Sequence, residues 1–303
     1  MDEQAQQTQQ NMAQQPQQGL QVTNAGTLAG RAGFTVGDLE AALLALFPAE
    51  DACEWDNTGL LVGDPRQEFT GVAIALDPTV SAVRAAHEAG ANVLLTHHPV
   101  FLDPPAAFWP IEVPGHDSAG AVVYEALRLG VNCINFHTAL DFSAAGLAVL
   151  PNLLRLQAEA PFEPFEDDPT KGFGMLCGPG EEDLNLERLA ARCVAVFGRL
   201  PRVWGNPQAH LERIVCSGGS AGDALDHCLS DGVDCLVCGE LKYHPALDAA
   251  QAGLCIIELG HDVSELPLTS VLLHAVVQLG LSDEQITMLN QNDNWHTPES
   301  MRR

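Results

Sequence analysis

The sequence predicts a layered α/β protein. Short apolar runs rich in Val, Ile, Leu and Cys alternate along the chain with amphipathic runs of helical period. The polar residues that carry chemistry cluster just past four of those runs, within residues 96–99, 136–141, 239–244 and 260–265. In open α/β sheets, the carboxyl ends of the strands are where ligands bind.

Residues 1–33 are rich in Gln and Ala and almost uncharged after Glu3. Such a segment cannot bury a core, so it reads as a disordered tail whose removal leaves stability unchanged. Residues 35–47 form a helix with Leu39, Leu43 and Leu46 on one side. Strands are expected at 72–76, 92–96, 131–136, 172–177, 213–217, 233–238 and 254–259, and helices at 80–89, 118–129, 185–197, 223–230, 245–252 and 264–279. Residues 161–169, rich in Pro and acidic side chains, read as a linker between halves, and the polar residues after 291 as a loose tail.

Composition narrows the function. With 14 Lys and Arg against 40 Asp and Glu, the net charge is -26. No basic stripe is present, so general nucleic-acid binding is excluded, and an anionic membrane repels such a surface. The best apolar stretch, Val271 to Leu281, is interrupted by His274 and Gln278 and is too short to span a bilayer. The N-terminus has no hydrophobic signal region, so a cytoplasmic location is expected. The nine cysteines are an odd number and several lie in apolar runs, which favours buried thiols over a disulfide framework. Cys235-Leu236-Val237-Cys238 is formally a CxxC, but it lies within a strand-like run and no second CxxC accompanies it.

His97-His98-Pro99 follows the apolar run Val93-Leu94-Leu95-Thr96. Adjacent strand residues point to opposite faces, but a turn at the strand end aims both imidazoles into one cleft. The pair fits metal ligation, or hydrogen-bonded turn histidines. Phe136-His137-Thr138-Ala139-Leu140-Asp141 repeats the placement. Asp141 reads as a bridging carboxylate or an N-cap, and His137 as a ligand, an orienting partner or a proton shuttle. His261 and Glu265 are four apart and share a face if a helix begins there, and Glu240 and His244 repeat that spacing. Ser217-Gly218-Gly219-Ser220-Ala221-Gly222 reads as a phosphate-holding turn or simply a tight turn. The donors are nitrogen and oxygen without thiolate, which suits Zn, Mn, Fe, Co or Ni.

Trp55-Asp56-Asn57-Thr58-Gly59-Leu60-Leu61-Val62-Gly63, together with THHPVF, HTALD, GELKYH and GHDVSE, resembles the ordered motifs of the Nif-three-like family. That family is also labelled GTP cyclohydrolase 1 type 2 homologs, or dinuclear metal centre proteins. The resemblance covers residues 34–290. It implies two intertwined three-layer α/β lobes, 34–130 plus 254–290 and 131–253, with a metal cleft between them. It places two divalent transition-metal ions on His97, His98, Asp141, His261 and Glu265, with His137, Glu240 and His244 as polar residues lining the same cleft, and these three are the catalytic candidates for moving protons. It also implies a homo-oligomer, a hexamer built from dimers. The chain is short for the family, Asp262 stands where an aromatic residue is common, and the segment after Asp141 lacks the usual Gly-rich continuation. Two cations about 3.5–4 Å apart activate a water at neutral pH. The expected function is therefore hydrolysis of a nucleotide-like substrate, with conversion of GTP to dihydroneopterin triphosphate and formate as the concrete case. The alternative is a non-catalytic metal-binding or regulatory scaffold.

Overall fold

The structure is a computed structural model that describes residues 27–31, 33–115, 117–291 and 294–295. In chain order the elements are α1 (Val36–Leu44), β1 (Gly59–Val62), β2 (Val72–Ala75), α2 (Val80–Glu88), β3 (Val93–Thr96), α3 (Ser118–Leu129), β4 (Asn132–Asn135), α4 (Thr138–Asp141), α5 (Ala144–Leu147), α6 (Val149–Leu153) and β5 (Gln157–Pro164). There follow β6 (Gly172–Gly178), α7 (Leu186–Phe197), β7 (Arg202–Trp204), β8 (Ile214–Ser220), α8 (Ala224–Ser230), β9 (Cys235–Glu240), α9 (Tyr243–Gln251), β10 (Cys255–Glu258), α10 (His261–Glu265), α11 (Leu268–Gln278) and β11 (Ile286–Met288). The architecture is the α/β class that the alternating pattern predicts. No helix among the described residues is long and apolar enough to cross a membrane.

The chain divides at 139/140 and 271/272, with the second unit inserted into the first. The lobes that the resemblance implies divide at 130/131 and 253/254. The difference has a pairing cause. β4 lies parallel to β3 and antiparallel to β1, which keeps it in the first sheet, while β10 lies parallel to β9 in the second.

The first unit holds a five-stranded sheet of order β1-β4-β3-β2-β11. β11, β2, β3 and β4 run parallel, so every residue of β2, β3 and β4 is buried. Ala73, Ala75, Leu94 and Cys133 on one face pack with Val83, Ala86, Val122 and Ala126 of α2 and α3. The helices start where their caps require. Thr35 and Asp38 form a capping box on α1, Thr79 caps α2, and Asp117 caps α3, which ends at Gly130 in the left-handed region. The tail reading of 1–33 needs a correction at its end. Leu28 is buried, and its amide donates to the Leu279 carbonyl at 2.7 Å, so residues 27–31 dock on the chain after α11. Removing 1–33 therefore deletes the docked Leu28 and uncovers the apolar surface it packs on, a cost of about 1.5–3 kcal/mol. Residues 1–26, 32, 292–293 and 296–303 of the two expected tails lie outside the described residues.

The second unit is a three-layer sandwich around a six-stranded sheet of order β5-β6-β8-β9-β10-β7. Leu150 and Leu154 of the α6 segment and Leu189 and Cys193 of α7 cover one face, against Cys177, Cys216 and Cys235. Ala224, Leu225, Ala246 and Ala249 of α8 and α9 cover the other, against Val215, Leu236 and Cys238. The segment read as a linker instead contributes an edge strand. Pro161 and Pro164 lie in β5 opposite Met175 and Gly172, and an edge is where a sheet tolerates residues without an amide proton. The helix expected over 264–279 is two helices, because Pro267 interrupts the amide ladder between α10 and α11.

All nine cysteines are free thiols. Cys235 and Cys238 belong to opposite faces of the sheet, so the CxxC cannot converge on one ion. Burial pushes the Cys133 and Cys193 thiols up to about 12, which keeps them protonated packing groups.

Candidate metal centre

In the first unit, β3 delivers two histidines at its end. Its pairing with β2 continues past Thr96, with the His98 amide donating to the Leu76 carbonyl at 3.0 Å. Pro99 follows, and the Thr96 hydroxyl closes the corner on the His98 carbonyl at 2.7 Å. His97 is fully buried and His98 half-buried. His137, just past β4, joins them. The ring centroids are 5.0 Å apart for His97–His98, 5.2 Å for His97–His137 and 5.6 Å for His98–His137. One donor atom from each lies within 4.8 Å of the other two.

Each of these rings is fixed at Nδ1. That atom lies 3.0 Å from the Phe136 carbonyl in His97, 2.7 Å from Asp77 Oδ1 in His98 and 2.9 Å from Asp56 Oδ1 in His137. Carbonyl and carboxylate oxygens only accept, so Nδ1 carries the proton in all three rings. In the neutral ring this leaves Nε2 with its lone pair. That tautomer, set by an oxygen behind the ring, is how proteins orient metal-binding histidines. Asp56 is itself held. Burial pushes its carboxyl up, but the hydrogen bonds from His137 and Thr138 outweigh burial and keep it below its ordinary value. Asp77 accepts from Asn294 Nδ2 at 3.1 Å, and the Gln291 side chain spans the Leu76 and Asp77 amides.

The sequence did not single out Asp77, although it sits just past β2 as the histidines sit past β3. From the residues, Trp55-Asp56-Asn57 reads either as part of the cleft lining or as an anchor for the loop after the first helix. Asn57 is that anchor, donating to the Phe101 and Leu102 carbonyls at 3.0 and 2.7 Å. Asp56 orients His137, and Trp55, 58% exposed, lies edge-on to the same ring at 5.8 Å.

In the second unit the donors are mixed. Gly260, at φ 105°, opens α10, which puts His261 and Glu265 on one face. His261 Nε2 lies 3.0 Å from Glu265 Oε2. Two ligands each about 2.0–2.2 Å from one ion stand roughly 3 Å apart, so this spacing suits a shared cation. His261 Nδ1 lies 3.1 Å from Glu240 Oε1. Asp141, the last residue of α4, offers a carboxylate oxygen within 4.8 Å of one of Glu265.

Glu240 and His244 do not share a helical face as the spacing predicts. Glu240 ends β9 and α9 begins only at Tyr243, so the two residues lie on different elements. Glu240 reaches His261, whereas His244 is exposed and its ring rests on Tyr243 at 5.2 Å. Asp262 is paired with Arg199 at 2.9 Å.

The Gly-rich run buttresses this donor set. Ser217–Ser220 belongs to β8, and the Gly219 amide donates to Ser264 Oγ at 3.0 Å. Gly219 has φ +58°, and a Cβ there would stand 2.2 Å from Glu265 Oε1. Gly219→Ala is therefore expected to displace Glu265 and, if the set holds a divalent metal, to lower its affinity at least about tenfold, the scale of losing ligand support, as read by equilibrium dialysis.

The Duf34/NIF3 (NGG1p interacting factor 3) family model matches residues 34–294. A Streptomyces coelicolor protein named GTP cyclohydrolase 1 type 2 homolog is 33% identical over 77% of this chain and 82% of its own length. A Clostridium perfringens protein of the same name is 26% identical over 71% of this chain and 80% of its own. Among solved structures, a Staphylococcus aureus hypothetical protein has a TM-score of 0.77 at 22% identity, covering 88% of this chain and 100% of its own. A Bacillus cereus protein related to NIF3 has a TM-score of 0.76 at 18% identity, covering 88% of this chain and 100% of its own. The structural likenesses match the α/β architecture, and the chain belongs to the Duf34/NIF3 (NGG1p interacting factor 3) family.

Proposed function

We propose that this protein is a dinuclear-metal-dependent hydrolase of a nucleotide-like substrate, with two divalent transition-metal ions (Zn, Mn, Fe, Co or Ni) held by His97, His98, Asp141, His261 and Glu265. The observation that supports this most is the common tautomer of His97, His98 and His137, each with Nδ1 committed to an oxygen. The all-nitrogen and oxygen donor set fits these metals, and the cysteines are packing groups elsewhere. When bound, such ions act as Lewis acids and lower the pKa of a water.

The remaining work falls to the chain. Glu240 fixes the His261 ring and lies where it accepts a proton. His137, backed by Asp56, is the second group suited to moving one. The names of the relatives point to GTP as the first substrate to try. Hydrolysis at C8 opens the imidazole ring and releases formate, and closure of the product gives dihydroneopterin triphosphate. The assay follows formate release and pterin fluorescence with metal-replete protein, then phosphoesters. Metal-dependent turnover is expected. Metal-replete protein inactive on every substrate would favour the binding or scaffold reading. Phosphoester cleavage without formate would discard the cyclohydrolase activity and keep the hydrolase.

We also propose a homo-oligomer, a hexamer. A chain of net charge -26 repels its copies unless apolar surface overrides the charge. Leu102, Phe108, Trp109, Ile111 and Val113, all exposed on the connection from β3 to α3, supply such surface. Light scattering is expected to report an assembly at micromolar concentration, and a monomer would refute this.

A further inference from the structure

The corner between β9 and α9 carries an ordered aromatic surface that the donor set does not use. Its base is the buried carboxylate of Glu258 on β10. Glu258 accepts from the Leu241 amide at 2.9 Å, from Trp204 Nε1 at 2.7 Å, and from Nε and Nη2 of Arg202. Arg202 Nη2 also reaches the Leu241 carbonyl at 3.3 Å. One carboxylate thus ties β7 to the chain that follows Glu240.

On this base, Trp204 packs against Tyr243 at 5.6 Å and Tyr243 against His244 at 5.2 Å. The Arg202 guanidinium lies 5.6 Å from the Trp204 ring centre. Tyr243 is nevertheless 56% exposed, with Lys242 and His244 also open to solvent. A ring ordered by one tilted and one edge-on neighbour, at 58° and 78°, while more than half exposed, is a surface on which a planar partner can stack. Charge adds to the selection. The chain has 14 Lys and Arg against 40 acidic residues, and one of those cations, Lys242, stands exposed at this corner, while the Arg202 charge is matched by Glu258. The nearby Glu240 is engaged with His261.

We propose that Tyr243, supported by Trp204 and His244 and flanked by Lys242, is a stacking site for the base of a purine nucleotide whose phosphate meets the Lys242 ammonium. This rests on the nucleotide-substrate reading and names residues outside the metal ligands that hold the base. It also gives His244 a binding role in place of proton transfer.

The test is equilibrium dialysis of the full chain against GMP, guanosine and inorganic phosphate, with chelator present so that metal–phosphate contact contributes nothing. GMP is expected to bind. Tyr243→Ala should weaken it about tenfold or more, the scale of removing one stacked base, while Tyr243→Phe retains it. Lys242→Ala should weaken GMP and leave guanosine unchanged. Melting curves that match between the Ala and Phe variants at Tyr243 separate lost stacking from lost folding. GMP binding that is absent from the unmodified chain, or unaltered by Tyr243→Ala, would overturn the proposal. Failure of the metal reading shows elsewhere, as missing metal uptake or turnover with GMP dialysis intact.

Discussion

Asp141→Ala combined with Glu265→Ala is expected to strip the protein of most of its metal. Glu265 is buried, lies against His261 Nε2 at 3.0 Å and has an Asp141 carboxylate oxygen nearby, so in the proposed ligand set the pair would supply the anionic donors of the second unit. On the proposed ligand set, removing both would leave His261 as that unit's remaining ligand, and a divalent ion would lose the charge that compensates its desolvation. Elemental analysis should fall from about two ions per chain toward one or none. The three histidines of the first unit remain in place, so circular dichroism should be little changed. Full metal retention in the double variant would remove these carboxylates from the ligand set.

Glu240→Gln is expected to separate two consequences. The carboxylate accepts from His261 Nδ1, which fixes the ring and raises its basicity. Glutamine retains an acceptor oxygen but loses the charge, so metal affinity should fall about 10–100-fold, read by competition with a chelating dye. If Glu240 also handles a proton, turnover at saturating metal should fall about 10²–10⁴-fold. Loss of affinity with unchanged turnover would leave it as a positioning residue. His244→Ala provides the contrast, since His244 touches Tyr243 rather than His261. It should keep the metal and lose substrate affinity.

The parts legible in the sequence are those with local causes. Parallel strands such as β2 and β3 are apolar throughout because both faces are buried, and a cap or a left-handed glycine marks the ends of α3. The histidines at 97, 98, 137 and 261 were visible because each closely follows a strand run. What fixes their rings was not visible. Asp77 lies 21 residues from His98 and Asp56 lies 81 residues from His137, and no local pattern connects such partners. β7 and β11, at three residues each, are too short to show a period. β5 was hidden because its prolines read as turn residues until the sheet gave them an edge. The Glu240–His244 spacing misled because it spans a strand end and a helix start, where four-residue periodicity has no meaning.

The central claim is that nitrogen and carboxylate donors of this chain hold two divalent ions. Anomalous scattering from crystals grown with a transition metal tests it most directly. Two peaks are expected, each about 2.0–2.2 Å from its ligands, drawn from Nε2 of His97, His98 and His261 and the carboxylates of Asp141 and Glu265. Metal found on the cysteines or surface histidines instead, with none at these five residues, would contradict the account.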